Sequence, residues 1–235
     1  MNVAVIVAAG RGARATAGAG ERAKQFRLLD GVPVLVHTLR RFEECKTISQ
    51  TVVVVPADDA AEFETVAHAH GLRKLARVVA GGATRTRSVW EGLKTFDATG
   101  THIVAVHDGV RPFVTPAEID ATVTAAREHG AAVLVAPVTD TIKQVVGGRI
   151  VLTPEREHLR RALTPQCFRY DLLRRAYERA LAENSDATDD SVLVERLGAE
   201  VFAVEGDPRN IKLTRAEDFA LAEKLIGGWG SGVRG

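Results

Sequence analysis

The sequence contains few cysteines, no long apolar run and no excess of charge of one sign. Its two cysteines, Cys45 and Cys167, lack the spacing of a metal site or a disulfide framework. We expect both to be buried small hydrophobes in a protein of the reducing cytoplasm. No apolar stretch approaches the roughly 18 residues of a membrane span, and no signal-peptide pattern is present. The formal net charge is +1, so nothing global indicates a nucleic acid or a membrane as partner.

Apolar runs alternate with amphipathic segments along most of the 235 residues, of which 46% are hydrophobic. Predicted strands are Val3–Ala8, Thr51–Val55, Arg77–Ala80, His102–His107 and Ala131–Ala136, and predicted helices are Pro33–Glu44, Asp58–His70, Thr86–Phe96 and Pro116–His129. This alternation predicts an α/β fold with a doubly wound, mostly parallel, Rossmann-like sheet and helices on both faces. We expect one domain over residues 1–226 and a disordered tail over the glycine-rich residues 227–235.

An inserted hairpin interrupts the alternation. Between Thr139 and Pro165, two β-branched runs are joined by Gly147–Gly148, a strong two-residue hairpin signal. A hairpin is marginally stable alone, so we expect this arm, about residues 138–163, to lean on a second subunit of a homodimer. Beyond it the pattern predicts helices Asp171–Glu183 and Asp190–Leu197, a strand Glu200–Val204 and a helix from Arg215.

The most informative stretch is residues 3–25, VAVIVAAGRGARATAGAGERAKQ. A buried strand ends in a glycine turn, where Gly10 and Gly12 leave backbone amides free to face an anion. Arg14 and Lys24 flank a loop that has no apolar anchor. The alternative is a solvated surface loop, but the combination of glycine amides and cations predicts a triphosphate cradle.

A dinucleotide site is the main competing interpretation of the glycine loop. Gly10, Gly12 and Ala15 fit the G-x-G-x-x-G/A spacing, which requires a helix to begin at the glycines. Residues 13–22 contain no large apolar residue, and Asp30, at the distance of a ribose carboxylate, lies in an Asp-Gly turn. The sequence therefore disfavours a dehydrogenase.

Two further strand ends carry polar residues. Gly81–Gly82 is followed by Thr84, Arg85 and Ser88, a common capped turn that could also hold a base or a phosphate through its amides. His107 and Asp108 end a central strand, and Arg111 follows. Asp108 is a natural Mg²⁺ ligand, although it could instead pair with Arg111 to shape a turn, and a strand-end histidine is more often structural than a base. All three strand ends should meet at one edge of the sheet.

Taken together, these motifs resemble those of the 2-C-methyl-D-erythritol 4-phosphate cytidylyltransferases, which make CDP-methylerythritol from CTP in the non-mevalonate isoprenoid pathway. The resemblance runs in order from about Val3 to Ile226 and is carried by AAGRGAR, AKQF, GGATRTRSV, HDGVRPF, APVTDTIK, RALTPQCF, TDD and NIKLT.

The resemblance implies a role for each matching position. Arg14 and Lys24 would bind the triphosphate and stabilise the transition state. The cytosine and ribose contacts would be Ala8, Ala9, Gly82 and Ser88, with Arg85 in the same segment. Gly10 and Gly12, whose amides were predicted above to face an anion, complete the nucleotide-binding positions. The substrate-binding positions would be Asp108, Arg111, Thr141, Arg156, Thr164 and Lys212, with Asp108 also near Mg²⁺ or another divalent cation. The family's arm, carrying Thr141 and Arg156, crosses into the neighbouring subunit.

Three departures from the family pattern keep alternatives open. Val7 and Ala23 stand where the family usually has proline, Ala83 stands where several relatives have aspartate, and the glycine loop is a few residues longer than in many members. Ribitol 5-phosphate cytidylyltransferases share the frame and a similar HD-x-x-RPF segment, and a noncatalytic nucleotide-binding relative is a further alternative.

Overall fold

A computed structural model describes residues 1–10 and 23–229. Its strands are β1 Asn2–Val7, β2 Leu28–Leu29, β3 Val32–Pro33, β4 Gln50–Val55, β5 Leu75–Ala80, β6 Ile103–Asp108, β7 Ala131–Pro137, β8 Gln144–Val146, β9 Arg149–Leu152, β10 Arg160–Arg169 and β11 Phe202–Glu205. Its α-helices are α1 Val34–Glu44, α2 Ala60–Ala69, α3 Arg85–Leu93, α4 Pro116–His129, α5 Tyr170–Ala182, α6 Asp190–Glu195 and α7 Ala216–Trp229. The predicted bounds of the shared elements are correct to within three residues.

Seven strands form the central sheet in the order β11-β7-β10-β6-β1-β4-β5. The chain moves outward from β1 through β4 to β5 and then returns to the other side of β1 as β6. β1 pairs in parallel with both β4 and β6. The strand order therefore reverses beside β1, and a crevice opens beyond the carboxyl ends of β1 and β6, where ligands bind in such sheets. The predicted Rossmann-like α/β fold is confirmed.

The side chains of β1 alternate between two apolar layers. Ile6 packs with Leu39 and Phe42 of α1 on one face, whereas Val5 packs with Leu93 of α3 and Tyr177 of α5 on the other. Both layers are buried, as expected for a parallel sheet covered by helices. Among the described residues, no helix is long and apolar enough to cross a membrane.

β10 is a strand that the sequence did not predict. It runs antiparallel between β6 and β7 and begins at Arg160, inside the segment assigned to the arm. Pro165 and the buried polar residues Thr164 and Gln166 interrupt its apolar pattern, and proline within a run argues against a central strand. The register shifts between Ala162 and Gln166, and this irregularity accommodates the proline.

The hairpin is present as predicted. β8 and β9 pair antiparallel around Gly147 and Gly148, whose φ angles of 55° and 79° are those that the two-residue turn requires. The two strands form a sheet of their own, and both expose their side chains, including Val146 and Ile150.

The last helix extends beyond the predicted start of the tail at Gly227. α7 continues through Trp229, because it is fastened by Phe219 and Ala222, which pack against Leu213 and Val34. A glycine costs a helix only about 1 kcal/mol relative to alanine. Residues 230–235 lie outside the described residues, and the domain assignment stays a prediction.

Candidate active site

A cleft of about 630 Å³ lies beyond the carboxyl ends of β1, β4, β5 and β6. It is lined by the strand ends and the segments that follow them: Val7, Ala8, Ala9, Gly10, Lys24, Gln25, Pro56, Ala57, Gly81, Gly82, Ala83, Thr84, Arg85, Ser88, Asp108, Val110 and Lys212. Among these lining residues three carry positive charge and one, Asp108, carries negative charge. The cleft therefore suits an anionic ligand.

The turn from β5 into α3 requires glycine because the chain packs closely there. A Cβ atom on Gly81 would lie 2.3 Å from the Cβ of Ala9, and one on Gly82 would lie 2.5 Å from the Cβ of Arg87. Thr84 then caps α3 by accepting from the backbone N–H of Arg87, and the Ser88 hydroxyl donates to the Thr84 carbonyl at 2.8 Å. These contacts bring the start of α3 against the end of β1.

Asp108 is the centre of a cluster of cations. Its Oδ2 lies 3.0 Å from Lys212 Nζ and 3.2 Å from Arg111 Nε, and its Oδ1 lies 4.0 Å from Arg85 Nε. Burial alone would raise the pKa of Asp108, but the cations, Lys212 first, outweigh burial and hold the pKa well below its usual range. Asp108 is therefore ionised under all physiological conditions.

Thr164 links Asp108 to His107 through two hydrogen bonds. His107 Nε2 lies 3.2 Å from the carbonyl of Arg111, and because a carbonyl only accepts, Nε2 carries the proton. The Thr164 hydroxyl then donates to His107 Nδ1 at 3.0 Å and accepts from the Asp108 N–H at 3.2 Å. Burial lowers the pKa of His107 to about 4. His107 is therefore neutral and structural, in agreement with the prediction that a histidine at a strand end is more often structural than a base.

Lys24 lines the cleft from a short 3₁₀ helix, Lys24–Phe26. Burial lowers the pKa of Lys24, and the charge of Lys212 lowers it further, whereas Asp108 and Asp218 oppose both effects. The ammonium groups of Lys24 and Lys212 thus repel each other across the cleft, and an anion between them would relieve that repulsion.

Comparison with known proteins decides the family. The family model described as "IspD: 2-C-methyl-D-erythritol 4-phosphate cytidylyltransferase" matches residues 2–227. The chain belongs to this family. The 2-C-methyl-D-erythritol 4-phosphate cytidylyltransferase of Geobacter metallireducens is 45% identical over 226 residues, which cover 95% of this chain and 96% of that protein. The enzyme of the same name from Acidobacterium capsulatum is 43% identical over 229 residues, covering 94% of this chain and 96% of that protein.

Solved structures agree with the IspD assignment. The crystal structure of 4-diphosphocytidyl-2C-methyl-D-erythritol synthase from Anaerococcus prevotii has a TM-score of 0.85 and 30% sequence identity, and the match covers 97% of this chain and 96% of that one. The predicted family resemblance is confirmed.

Most of the predicted IspD site residues meet in the cleft. Its lining includes Ala8, Ala9, Gly10, Lys24, Gly82, Arg85, Ser88, Asp108 and Lys212. Arg111 and Thr164 contact Asp108 from outside the lining. Thr141 and Arg156 lie exposed on the arm, where Arg156 donates to the Thr139 carbonyl at 2.8 Å, and neither lines the cleft. Gly12 and Arg14 lie outside the described residues. The roles assigned to all these positions stay predictions.

One residue that contacts the site was missed as a candidate. Asp190, fully buried, accepts two hydrogen bonds from the guanidinium of Arg85. It belongs to the TDD segment that contributed to the resemblance, but it lies 105 positions after Arg85 in the chain. A sequence pattern does not join residues so far apart, so besides the TDD motif its signal was an acidic pair at the predicted start of a helix.

Proposed function

We propose that this chain transfers CMP from CTP to 2-C-methyl-D-erythritol 4-phosphate and releases pyrophosphate. Membership of the family supports this activity, and one observation carries it: Lys24, Asp108 and Lys212 meet in one cleft at the switch point of the sheet. The family model and the relatives named above favour this acceptor over ribitol 5-phosphate. Retention of Lys24, Asp108 and Lys212 in one cleft argues against a noncatalytic relative.

The reaction needs no protein nucleophile. A phosphate monoester, with a second pKa near 6, is largely ionised at neutral pH. One of its oxygens attacks the α-phosphorus of CTP in line, and the bond to pyrophosphate breaks. Catalysis then consists of positioning the reactants and neutralising charge on the phosphate oxygens. Lys24 supplies positive charge at the lining of the cleft, and the resemblance adds Arg14 to that role.

We assign a divalent cation to the Oδ1 atom of Asp108, although cations contact Oδ2 and the described residues contain no cluster of three or more metal-ligating side chains. Mg²⁺ in nucleotide sites takes one or two carboxylates together with phosphate oxygens and water. Asp108 is ionised, and its Oδ1 is beyond hydrogen-bond distance from Arg85 Nε, at 4.0 Å. Asp108 would hold the ion, which when bound supplies further neutralisation of the triphosphate charge.

The arm supports a homodimer in which each subunit completes the acceptor site of the other. Its strands expose Val145, Val146, Ile150, Val151 and Leu152, each more than half accessible. Five large apolar side chains exposed on so short a hairpin favour a partner surface that covers them. Thr141 and Arg156 lie on the same arm, so a partner's arm can bring them to a cleft that they do not line here. The two buried, unbridged cysteines support a reducing compartment such as the cytoplasm.

The proposed role of Lys24 is tested by Lys24→Ala. We expect kcat to fall on the order of 10³-fold or more, as for other cationic groups that stabilise phosphoryl transfer, with unchanged circular dichroism. Lys94→Ala is the matched control, because Lys94 is exposed at the C-terminal end of α3, where it forms an ion pair with Glu91. A near-normal kcat for Lys24→Ala would refute the role.

A further inference from the structure

Asp190 is a buried carboxylate that the proposed reaction does not use. Its Oδ1 and Oδ2 accept from the two terminal nitrogens of Arg85 at 2.8 and 2.6 Å, a bidentate pair. The hydroxyl of Tyr177 also donates to Oδ1. The side chain of Asp190 has no exposure to solvent, whereas that of Arg85 is 24% exposed and lines the cleft. One end of the pair is thus fixed in the interior and the other reaches the ligand site.

The backbone around Asp190 is itself anchored to the central sheet. Gln166 of β10 accepts from the backbone N–H groups of Asp190 and Ser191, both at 3.0 Å, and its amide donates to Asp189 at 2.7 Å. Asp189 in turn caps α6 by accepting from Ser191 N–H at 2.8 Å. The start of α6 is therefore held at a defined place beside β10, and Asp190 has little freedom to follow Arg85 if Arg85 moves.

Arg85 has a second carboxylate within reach. Its Nε lies 4.0 Å from Asp108, which already contacts Lys212 and Arg111. An arginine side chain released from Asp190 would move closer to Asp108, because leaving a partly buried cation unpaired costs free energy and Asp108 is a neighbouring carboxylate. The bidentate pair with Asp190 prevents this, and it leaves the other N–H groups of the guanidinium available to the cleft.

We propose that Asp190 is a positioning residue for nucleotide binding: it fixes the Arg85 guanidinium at the wall of the cleft, beyond hydrogen-bond distance from Asp108, so that Arg85 can donate to an oxygen of the bound nucleoside triphosphate. This inference rests on the proposed function, since it takes CTP as the ligand. It assigns a role to the TDD segment, which the proposed reaction leaves unused. The effect of Asp190 on CTP is transmitted through Arg85 alone.

A double-mutant cycle on CTP binding tests the proposal. Isothermal titration calorimetry with CTP, without acceptor, is carried out on the wild type, Asp190→Asn, Arg85→Ala and the double variant. We expect Asp190→Asn to raise the Kd for CTP on the order of tenfold, because Arg85 would no longer be held in the position from which it contacts the nucleotide. In the Arg85→Ala background, Asp190→Asn should have no further effect on the Kd. Independent, multiplicative losses would overturn the proposal, because a merely structural role of Asp190 predicts them.

Two additional variants keep the test decisive. Tyr177→Phe removes the other hydrogen bond to Asp190, and its Kd for CTP should stay within about twofold of wild type if only the Arg85 pair matters. Arg85→Lys keeps the charge but loses the bidentate fork, so it should bind CTP nearly as weakly as Arg85→Ala even if Asp190→Asn does not fold. Wild-type affinity in Arg85→Lys would overturn the proposal.

CTP binding without turnover in the wild type would instead count against the proposed function.

Discussion

His107 and Asp108 are neighbours in β6, yet burial affects their charges differently. Burial removes the charge of His107, whose pKa falls to about 4. Asp108 keeps its charge because cations surround it, with Lys212 the strongest influence. The sequence pattern located both residues at the edge of the sheet but could not assign these states, since Lys212 comes to Asp108 from a segment 104 positions away.

The neutral state of His107 predicts a dependence of stability on pH. In the unfolded chain the pKa of His107 is about 6.5, so between pH 6.5 and 4 the unfolded state binds more protons, and the free energy of unfolding falls as the pH is lowered. The expected loss from His107 between pH 7 and pH 5 is about 2 kcal/mol. Asp108 adds nothing in this window, because its pKa is depressed below the usual carboxyl range and its contribution changes only at lower pH.

Urea unfolding of the wild type and His107→Gln at pH 7 and pH 5 measures that difference. The variant should lose less stability than the wild type over this range. His37, whose pKa burial also lowers, contributes equally to both proteins and cancels. Equal losses in the two proteins would contradict a neutral, buried His107.

At the scale of elements, sequence patterns located the strands and helices that obey simple periodicity. β1, β4 and β6 are apolar runs, and α4 begins with a capping box formed by Thr115 and Glu118. β10 was missed because its buried positions include Thr164, Pro165 and Gln166. The buried polar groups of Thr164 and Gln166 find hydrogen-bond partners that are distant in sequence. The Thr164 hydroxyl bonds to Asp108 and His107, and the Gln166 side chain bonds to the start of α6.

The turn between β5 and α3 predicts a strong effect of Gly81→Ala. The new Cβ would overlap Ala9 at 2.3 Å and approach the Ser88 hydroxyl at 3.0 Å. Overpacking of this kind costs about 1–3 kcal/mol, and the displaced turn should also weaken CTP binding. Gly100→Ala is the matched control, since a Cβ there has no atom within 4 Å. Urea unfolding and CTP titration compare the two; equal behaviour of both variants would contradict a turn that needs Gly81 for close packing.

At the scale of the whole molecule, the proposed dimer predicts that two inactive variants restore activity together. Lys24→Ala damages the cleft, and Arg156→Ala damages the arm. If the arm crosses between subunits, a mixed dimer has one site carrying both changes and one intact site. An equal mixture, dissociated and reassembled, should therefore recover about a quarter of wild-type activity. The assay uses low acceptor concentration, because the Arg156→Ala defect should lie mainly in acceptor use. Failure to recover activity in verified mixed dimers would contradict the crossing arm.

The acceptor specificity tests the central claim most directly. Pyrophosphate release is measured with CTP and Mg²⁺ in parallel assays containing 2-C-methyl-D-erythritol 4-phosphate or ribitol 5-phosphate. The account predicts turnover with the methylerythritol phosphate and at most slow turnover with ribitol phosphate. Preferential turnover of ribitol 5-phosphate, or tight CTP binding without release of pyrophosphate from either mixture, would contradict it.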